Sequence, residues 1–156
     1  MIVRDAADFI SETLESVLPY IDEWIVVDTG SLDNTKEVVQ NFFDNAGLNG
    51  QLVERPWIGF SHNRTEAIAL CAGRADYAFM IDADDLIEGN LNLTDLTAPG
   101  YRVRFGPHNV YWRTALFSLK KEWEFRGAVQ EYAVCLDGSH TVNLEGDYNF
   151  IFRSLG

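Results

Sequence analysis

Tyr77-Ala78-Phe79-Met80-Ile81 runs without a break into Asp82-Ala83-Asp84-Asp85. Five consecutive apolar residues suit a strand buried on both faces, so residues 77–81 are expected as a central strand of a parallel sheet. The acids then stand at the carboxyl end of that strand, where open α/β sheets hold their ligands. Side chains alternate along extended backbone, which points Asp82 and Asp84 the same way and Ala83 away from them. Two carboxylates that close repel each other unless one takes up a proton or a divalent cation lies between them. Oxygen donors select a hard ion, Mg²⁺ or Mn²⁺, that also accepts phosphate oxygens. A lone Asp-x-Asp also fits an acidic turn capping the next element; its position after a buried strand favours a metal-diphosphate site.

Upstream, strands and helices alternate. Met1 to Arg4 reads as a first strand, and Ile10, Leu14, Val17 and Leu18 recur at helical spacing behind an Asp8 cap, with Pro19 as the stop. Trp24-Ile25-Val26-Val27 is a second buried strand that also ends in an acid, Asp28. The turn Thr29-Gly30-Ser31-Leu32-Asp33-Asn34-Thr35 leads, with Asp33 or Asn34 as cap, into a helix carrying Val38, Val39, Phe42 and Phe43. Gln51 to Glu54 is a third strand, and Ser61 caps a helix that runs through Ala67, Ile68, Leu70 and Cys71 to Gly73. Residues 1–85 are therefore expected as an α/β half with a mostly parallel sheet flanked by helices, built from right-handed βαβ units.

After Asp85 the pattern changes to period two. Tyr101–Phe105, Val110–Arg113, Ala128–Val134 and Thr141–Leu144 alternate as half-buried strands do, with Asp137-Gly138 as a hairpin turn. Residues 86–156 are expected as a smaller mixed or antiparallel sheet, and the 156 residues as one domain.

Twenty-four acids against twelve bases give a net charge of −12, which argues against nucleic acid or anionic membrane as partners. An acidic chain that binds a diphosphate needs a local positive element, and a metal ion is one. No apolar run reaches the roughly 20 residues of a membrane span, so a cytoplasmic protein is expected. Cys71 and Cys135 sit in helix and strand patterns without zinc spacing and read as buried thiols.

Five stretches, taken in order, resemble one family. They are Met1-Ile2-Val3-Arg4-Asp5-Ala6-Ala7; Trp24 through Thr35; the Asn63-Arg64 pair opening a helix; Ile81-Asp82-Ala83-Asp84-Asp85; and Phe125-Arg126-Gly127-Ala128-Val129-Gln130-Glu131. Together they resemble family 2 glycosyltransferases of the GT-A (Rossmann-like) α/β fold, the last being similar to the Gly-x-Val-His-Glu segment of a subgroup. The resemblance implies inverting transfer of a sugar from a UDP-sugar donor to a hydroxyl acceptor, a glycan among others, with Mn²⁺ or Mg²⁺. It places Val3, Arg4, Asp28, Arg64, Asp82 and Ala83 around the nucleotide sugar, with Asp28 receiving the uracil edge. By the same resemblance Asp84 binds the metal, Glu131 is the general base, and His140 is a further metal ligand. Trp112 and Trp123 are candidates for stacking on acceptor sugar rings, since an aromatic face suits the apolar side of a pyranose.

The chain departs from the family pattern at two points. Asp5-Ala6 stands where Asn-Glu is usual, and Gln130 stands where the subgroup has His. Gln130 and the short C-terminus keep a second reading open, a catalytically silent module that binds nucleotide-sugar or glycan. A sugar nucleotidyltransferase would need a Gly-rich basic loop after the first strand, and Arg4-Asp5-Ala6-Ala7 is not one. A phosphatase with an acidic nucleophile would need its Asp-x-Asp after the first strand rather than the fourth.

Overall fold

Around β2 (Trp24–Asp28) the N-terminal half takes the expected form. In the computed structural model, which describes residues 1–106 and 110–156, β2 lies between β1 (Ile2–Val3) and β3 (Gly50–Glu54) and runs parallel to both. Val27 sits opposite Ile2 on one side and Val53 on the other. The helices α1 (Ile10–Val17) and α2 (Thr35–Ala46) cover this sheet, bringing Ile10, Leu14, Val39 and Phe43 onto Trp24 and Val26. The Trp24 and Phe43 rings stack with centroids 4.4 Å apart, a contact that adds to their area burial.

Of the first two caps, only that of α1 differs from expectation. Phe9, not Asp8, precedes α1, without a side-chain cap. At α2 the Asp33 carboxylate accepts the Thr35 N–H (3.0 Å) and that of Ala7 (3.2 Å), so it stitches the helix start to the segment after β1.

The apolar run at residues 77–81 pairs otherwise than the sequence suggests. β4 (Tyr77–Phe79) is three residues long and antiparallel to β7 (Tyr111–Ser118). It stands at one end of a mixed sheet ordered β4-β7-β6-β11-β5, with β5 Asp85–Gly89, β6 Gly100–Phe105 and β11 Tyr148–Phe152, and β10 (Val142–Asn143) attached to β6. The reason lies in β7, whose last four residues Ala115 to Ser118 are all buried and offer β4 a ladder. A buried apolar run satisfies parallel and antiparallel neighbours alike. Ala78 and Met80 still pack on Ile2, Val27, Ala67 and Ile68, which joins the two sheets through one core. A second core of Val103, Phe105, Leu116, Tyr148 and Phe150 fills the mixed sheet's other side.

Helix α3 (Phe60–Leu70) packs against the hairpin of β8 (Trp123–Arg126) and β9 (Tyr132–Cys135). Ser61 lies inside α3 rather than capping it, and its hydroxyl donates to the Gly127 carbonyl at 2.6 Å. The strand expected over 128–134 starts only at Tyr132, because Gly127 to Glu131 form the connecting loop. Gly127 has φ +102°, and a Cβ there would stand 2.5 Å from the Gln130 carbonyl oxygen, so the tight return depends on glycine. Asp137-Gly138 does form a turn, with Gly138 N–H on the Cys135 carbonyl at 3.0 Å. The strand after it, β10, runs parallel to β6, so the turn closes no hairpin.

Helix α1 reaches the acidic turn through Thr13, which is fully buried. Its hydroxyl proton is shared between the carbonyls of Ala83 (2.7 Å) and Asp85 (2.6 Å). Thr13→Val keeps the shape and removes the donor, and leaving such buried carbonyls unpaired costs about 1–3 kcal/mol. The expected outcome is a lower urea midpoint with an unchanged m-value, measured by circular dichroism.

Candidate active site

A cleft of about 830 Å³ opens beside the segments that follow β1 and β4. Val3 and Arg4 line it from the end of β1 and the residue after it, Arg64 from α3, Asp82, Ala83 and Asp84 from the acidic turn, Trp112 from β7 and Glu131 from the Gly127 loop. Eight of the sequence-predicted site residues thus meet in one place, from five separate parts of the chain. The turn itself is closed by the Asp85 N–H on the Asp82 carbonyl at 3.1 Å, so strand alternation ends before the acids begin.

Arg64 organises the wall. Its side chain is only 11% exposed, and it donates from Nη1 to Asp82 Oδ1 (2.8 Å) and from Nε to Glu131 Oε1 (3.0 Å). Two carboxylates from distant segments are held by one guanidinium. Asn63 beside it is fully buried, and its side-chain oxygen accepts the Ile58 and Gly59 N–H groups while its amide donates to the Pro56 carbonyl. That fixes the loop from which α3 starts and hence the position of Arg64.

Sequence reasoning missed a second arginine. Arg113 on β7 donates from Nη2 to Asp85 Oδ2 (2.6 Å) and from Nη1 to Asp82 Oδ2 (3.4 Å), and its guanidinium lies 4.2 Å from the centre of the Phe105 ring. The available signal was a lone cation in a strand that runs on into the apolar Ala115-Leu116-Phe117. Burial alone would raise the Asp82 carboxyl, but Arg64 and Arg113 overcome it and hold Asp82 below the ordinary range. Asp85 goes the other way: its side chain is fully buried, and burial outweighs Arg113 and pushes its pKa up to about 6. Burial opposes the charge on Arg64 too, yet Asp82 and Glu131 together raise it.

Three predicted residues lie elsewhere. Asp28 is buried behind its own turn, where Oδ1 accepts the Gly30 and Ser31 N–H groups (3.0 and 2.9 Å) and Oδ2 the Ser31 hydroxyl (2.6 Å). Its acceptor capacity goes to the loop, and it does not line the cleft. Trp123 is 6% exposed, packs edge-on against Phe117 and donates its indole N–H to the Ser118 carbonyl, so it belongs to the core rather than to an acceptor platform. His140 is exposed beyond the Asp137 turn, away from the cleft lining.

Among the described residues no three His, Cys, Asp or Glu side chains are gathered as a ready-made metal cage. A magnesium-like ion asks for less, since it commonly takes one or two carboxylates and completes its shell with phosphate oxygens and water. Asp84 fits that demand. Its Oδ2 accepts one main-chain N–H, from Leu155 at 3.0 Å, and it faces the cleft, whereas both oxygens of Asp82 are held by arginines.

Parallel β1-β2-β3, the acidic turn and the cleft beside it define a GT-A type α/β fold. The fold is shared with S. aureus TarS residues 1–349, alone (TM-score 0.54, 19% identity) and in complex with UDP (0.52, 18%). Each match covers 67% of this chain, and 34% and 35% of the TarS chain respectively. The family model described as Glycosyl transferase family 2 matches residues 1–141, and the chain belongs to that family. Similar curated proteins include a TPR repeat-containing protein of Synechococcus elongatus, 40% identical over 86 residues (54% of this chain, 19% of that protein). An uncharacterized glycosyltransferase of Rickettsia felis is 30% identical over 91 residues (58% and 29%). The lipopolysaccharide core biosynthesis glycosyltransferase LpsC of Rhizobium meliloti is 30% identical over 109 residues (69% and 37%). The chain thus spans 19% to 37% of the length of these three relatives.

Asp85 makes stability depend on pH in a defined direction. Its native pKa of about 6 lies above the unfolded value of 3.8, so between those values the folded state holds a proton that the unfolded chain has lost. Its contribution to stability grows as pH falls through 6 and is complete below 3.8. Asp85→Asn removes this slope. Urea midpoints from pH 7.5 to 4.5 should shift in favour of the wild type, relative to the variant, as pH falls.

Proposed function

We propose that the chain transfers a sugar, with inversion, from a UDP-sugar to a hydroxyl acceptor, using Mn²⁺ or Mg²⁺. The observation that carries this reading is the meeting of Asp82, Asp84, Arg64 and Glu131 in one cleft of a family 2 chain. The TarS complex with UDP, similar in fold, supports a uridine nucleotide as donor.

Glu131 acts as the base. Among the described residues only its Oε1 is hydrogen-bonded, which leaves Oε2 to take the acceptor's hydroxyl proton. The acceptor oxygen forms its bond to the anomeric carbon on the face opposite the diphosphate. The carbon–oxygen bond to the diphosphate breaks with its electron pair on the departing oxygen, giving UDP and an inverted glycoside. Arg64 holds Glu131 and Asp82 in register during this exchange. Asp84 would hold the divalent ion, which supplies charge neutralisation to the leaving diphosphate when bound. Val3 and Arg4 line the cleft and would border the uracil ring, and Trp112, also in the lining, would offer the acceptor an aromatic face.

A second reading, a binding module without turnover, draws on Gln130 in place of the subgroup's His and on the Arg64 contact that occupies one oxygen of the base. One experiment separates the two. Calorimetry with UDP in Mn²⁺ and in EDTA, together with UDP release from a panel of UDP-sugars, should show metal-dependent binding and turnover in the wild type. Glu131→Gln should bind UDP within about twofold of wild type and lose roughly 10²–10⁴-fold in turnover. Asp84→Asn should lose the difference between Mn²⁺ and EDTA. Binding without release from any sugar donor would favour the silent module.

A further inference from the structure

The two arginines that hold Asp82 are not equivalent. Arg64 is 11% exposed and spans two carboxylates at 2.8 and 3.0 Å, from Nη1 and Nε, so it is held firmly and little of it is open to a ligand. Arg113 is 35% exposed, lines the cleft, and touches Asp82 only at 3.4 Å. Its other edge is anchored firmly: Asp85 takes Nη2 at 2.6 Å, and Asp85 is itself pinned by the Asp82 N–H at 3.1 Å. The Phe105 ring supports the guanidinium plane from one side at 4.2 Å. An arginine presents five N–H donors, so a group fixed along one edge and one face keeps a free edge toward the cleft.

Charge points the same way. In a chain of net charge −12, this cleft gathers Arg4, Arg64, Arg102 and Arg113 against Asp82, Asp84 and Glu131. With Asp85 behind Arg113 the charges balance at four against four, on a chain whose acids are twice its bases, so a polyanion meets less repulsion here than elsewhere on the surface. The planar fork of arginine matches phosphate oxygens two at a time, which an ammonium cannot do.

We propose that Arg113 binds the diphosphate of the nucleotide ligand, exchanging its long contact with Asp82 for phosphate oxygens, and that Asp85 is the residue that positions it. This rests on the nucleotide-diphosphate reading of the cleft. Asp82, released from Arg113, stays paired to Arg64, so no charge is stranded by the exchange. Asp85 lies too deep to meet the ligand and acts only through Arg113.

The test is calorimetric titration of UDP, UMP and uridine into the wild type and three variants, with Mn²⁺ and with EDTA. Arg113→Gln removes the charge; Arg113→Lys keeps charge without the fork; and Arg113→Gln combined with Asp85→Asn removes both partners, so that no buried carboxylate is left unpaired if the single variant folds poorly. A charged hydrogen bond of about 1.5–3 kcal/mol corresponds to roughly 10- to 150-fold in affinity. Arg113→Gln and the double variant should lose that much for UDP while uridine stays within about twofold, and Arg113→Lys should fall between. Equal weakening of UDP and uridine, or unchanged UDP binding in the double variant, would overturn the role of Arg113 while leaving the nucleotide site standing. A wild type that binds none of the three ligands would overturn the nucleotide reading and the proposal with it.

Discussion

A guanidinium taken out of water must be paired or the fold does not tolerate it. Arg64 meets that condition with two carboxylates from separate segments of the chain. The acidic turn after β4 and the loop before β9 are 49 residues apart in sequence at Asp82 and Glu131, and neither has a regular element at that point. What fixes their separation is one rigid, planar cation on α3. The helix is fixed in turn by buried Asn63, Ala67 and Ile68, the last two in the core that contains Ile2 and Met80. Packing thus sets the helix, the helix sets the arginine, and the arginine sets the distance between the acids.

Much of this was legible in the chain. The buried run of β2, the apolar stripes of α1 and α2, and the acids beyond residue 81 could be read because each is a local pattern with its own period. The partner of β4 could not, since a run such as Tyr77-Ala78-Phe79 is equally content beside a parallel or an antiparallel neighbour, and the choice was made by β7 more than 30 residues later. The same limit applies to the site. Arg64 and Glu131 were found by resemblance, but their bond depends on a tertiary approach that no spacing encodes. Asp28 was assigned to the uracil edge by resemblance, and in the structure its carboxylate bonds its own turn. Gly30 and Ser31 follow it closely, and short polar turns of that kind let an aspartate bond its own backbone. Trp123 alternates with Phe125, and that period-two pattern was the clue to its burial on the core face.

The acidic turn divides its labour between backbone and side chains. Its carbonyls face inward: Thr13 takes those of Ala83 and Asp85, and Arg153 donates to that of Asp84 at 2.9 Å. Arg153 also bonds Glu12 and the Phe9 carbonyl, so α1 and the segment after β11 grip the turn together. With its backbone held from behind, the turn presents Asp82 and Asp84 to the cleft without needing a ligand to shape it. Preorganisation of this kind lowers the ordering cost that a ligand would otherwise meet on binding.

The two acids of the Asp-x-Asp then differ in what they can exchange. Asp82 carries two guanidinium groups and sits below the ordinary carboxylate range, so it enters the site already neutralised. Asp84 carries one main-chain N–H, a neutral donor that leaves its charge uncompensated among the described residues. On the proposed reading a divalent cation would meet Asp84, and the anionic part of the ligand the arginines around Asp82. The proposed nucleotide diphosphate with its metal would bring both signs of charge to that arrangement, and the single residue between the two acids would set the two halves of such a ligand side by side.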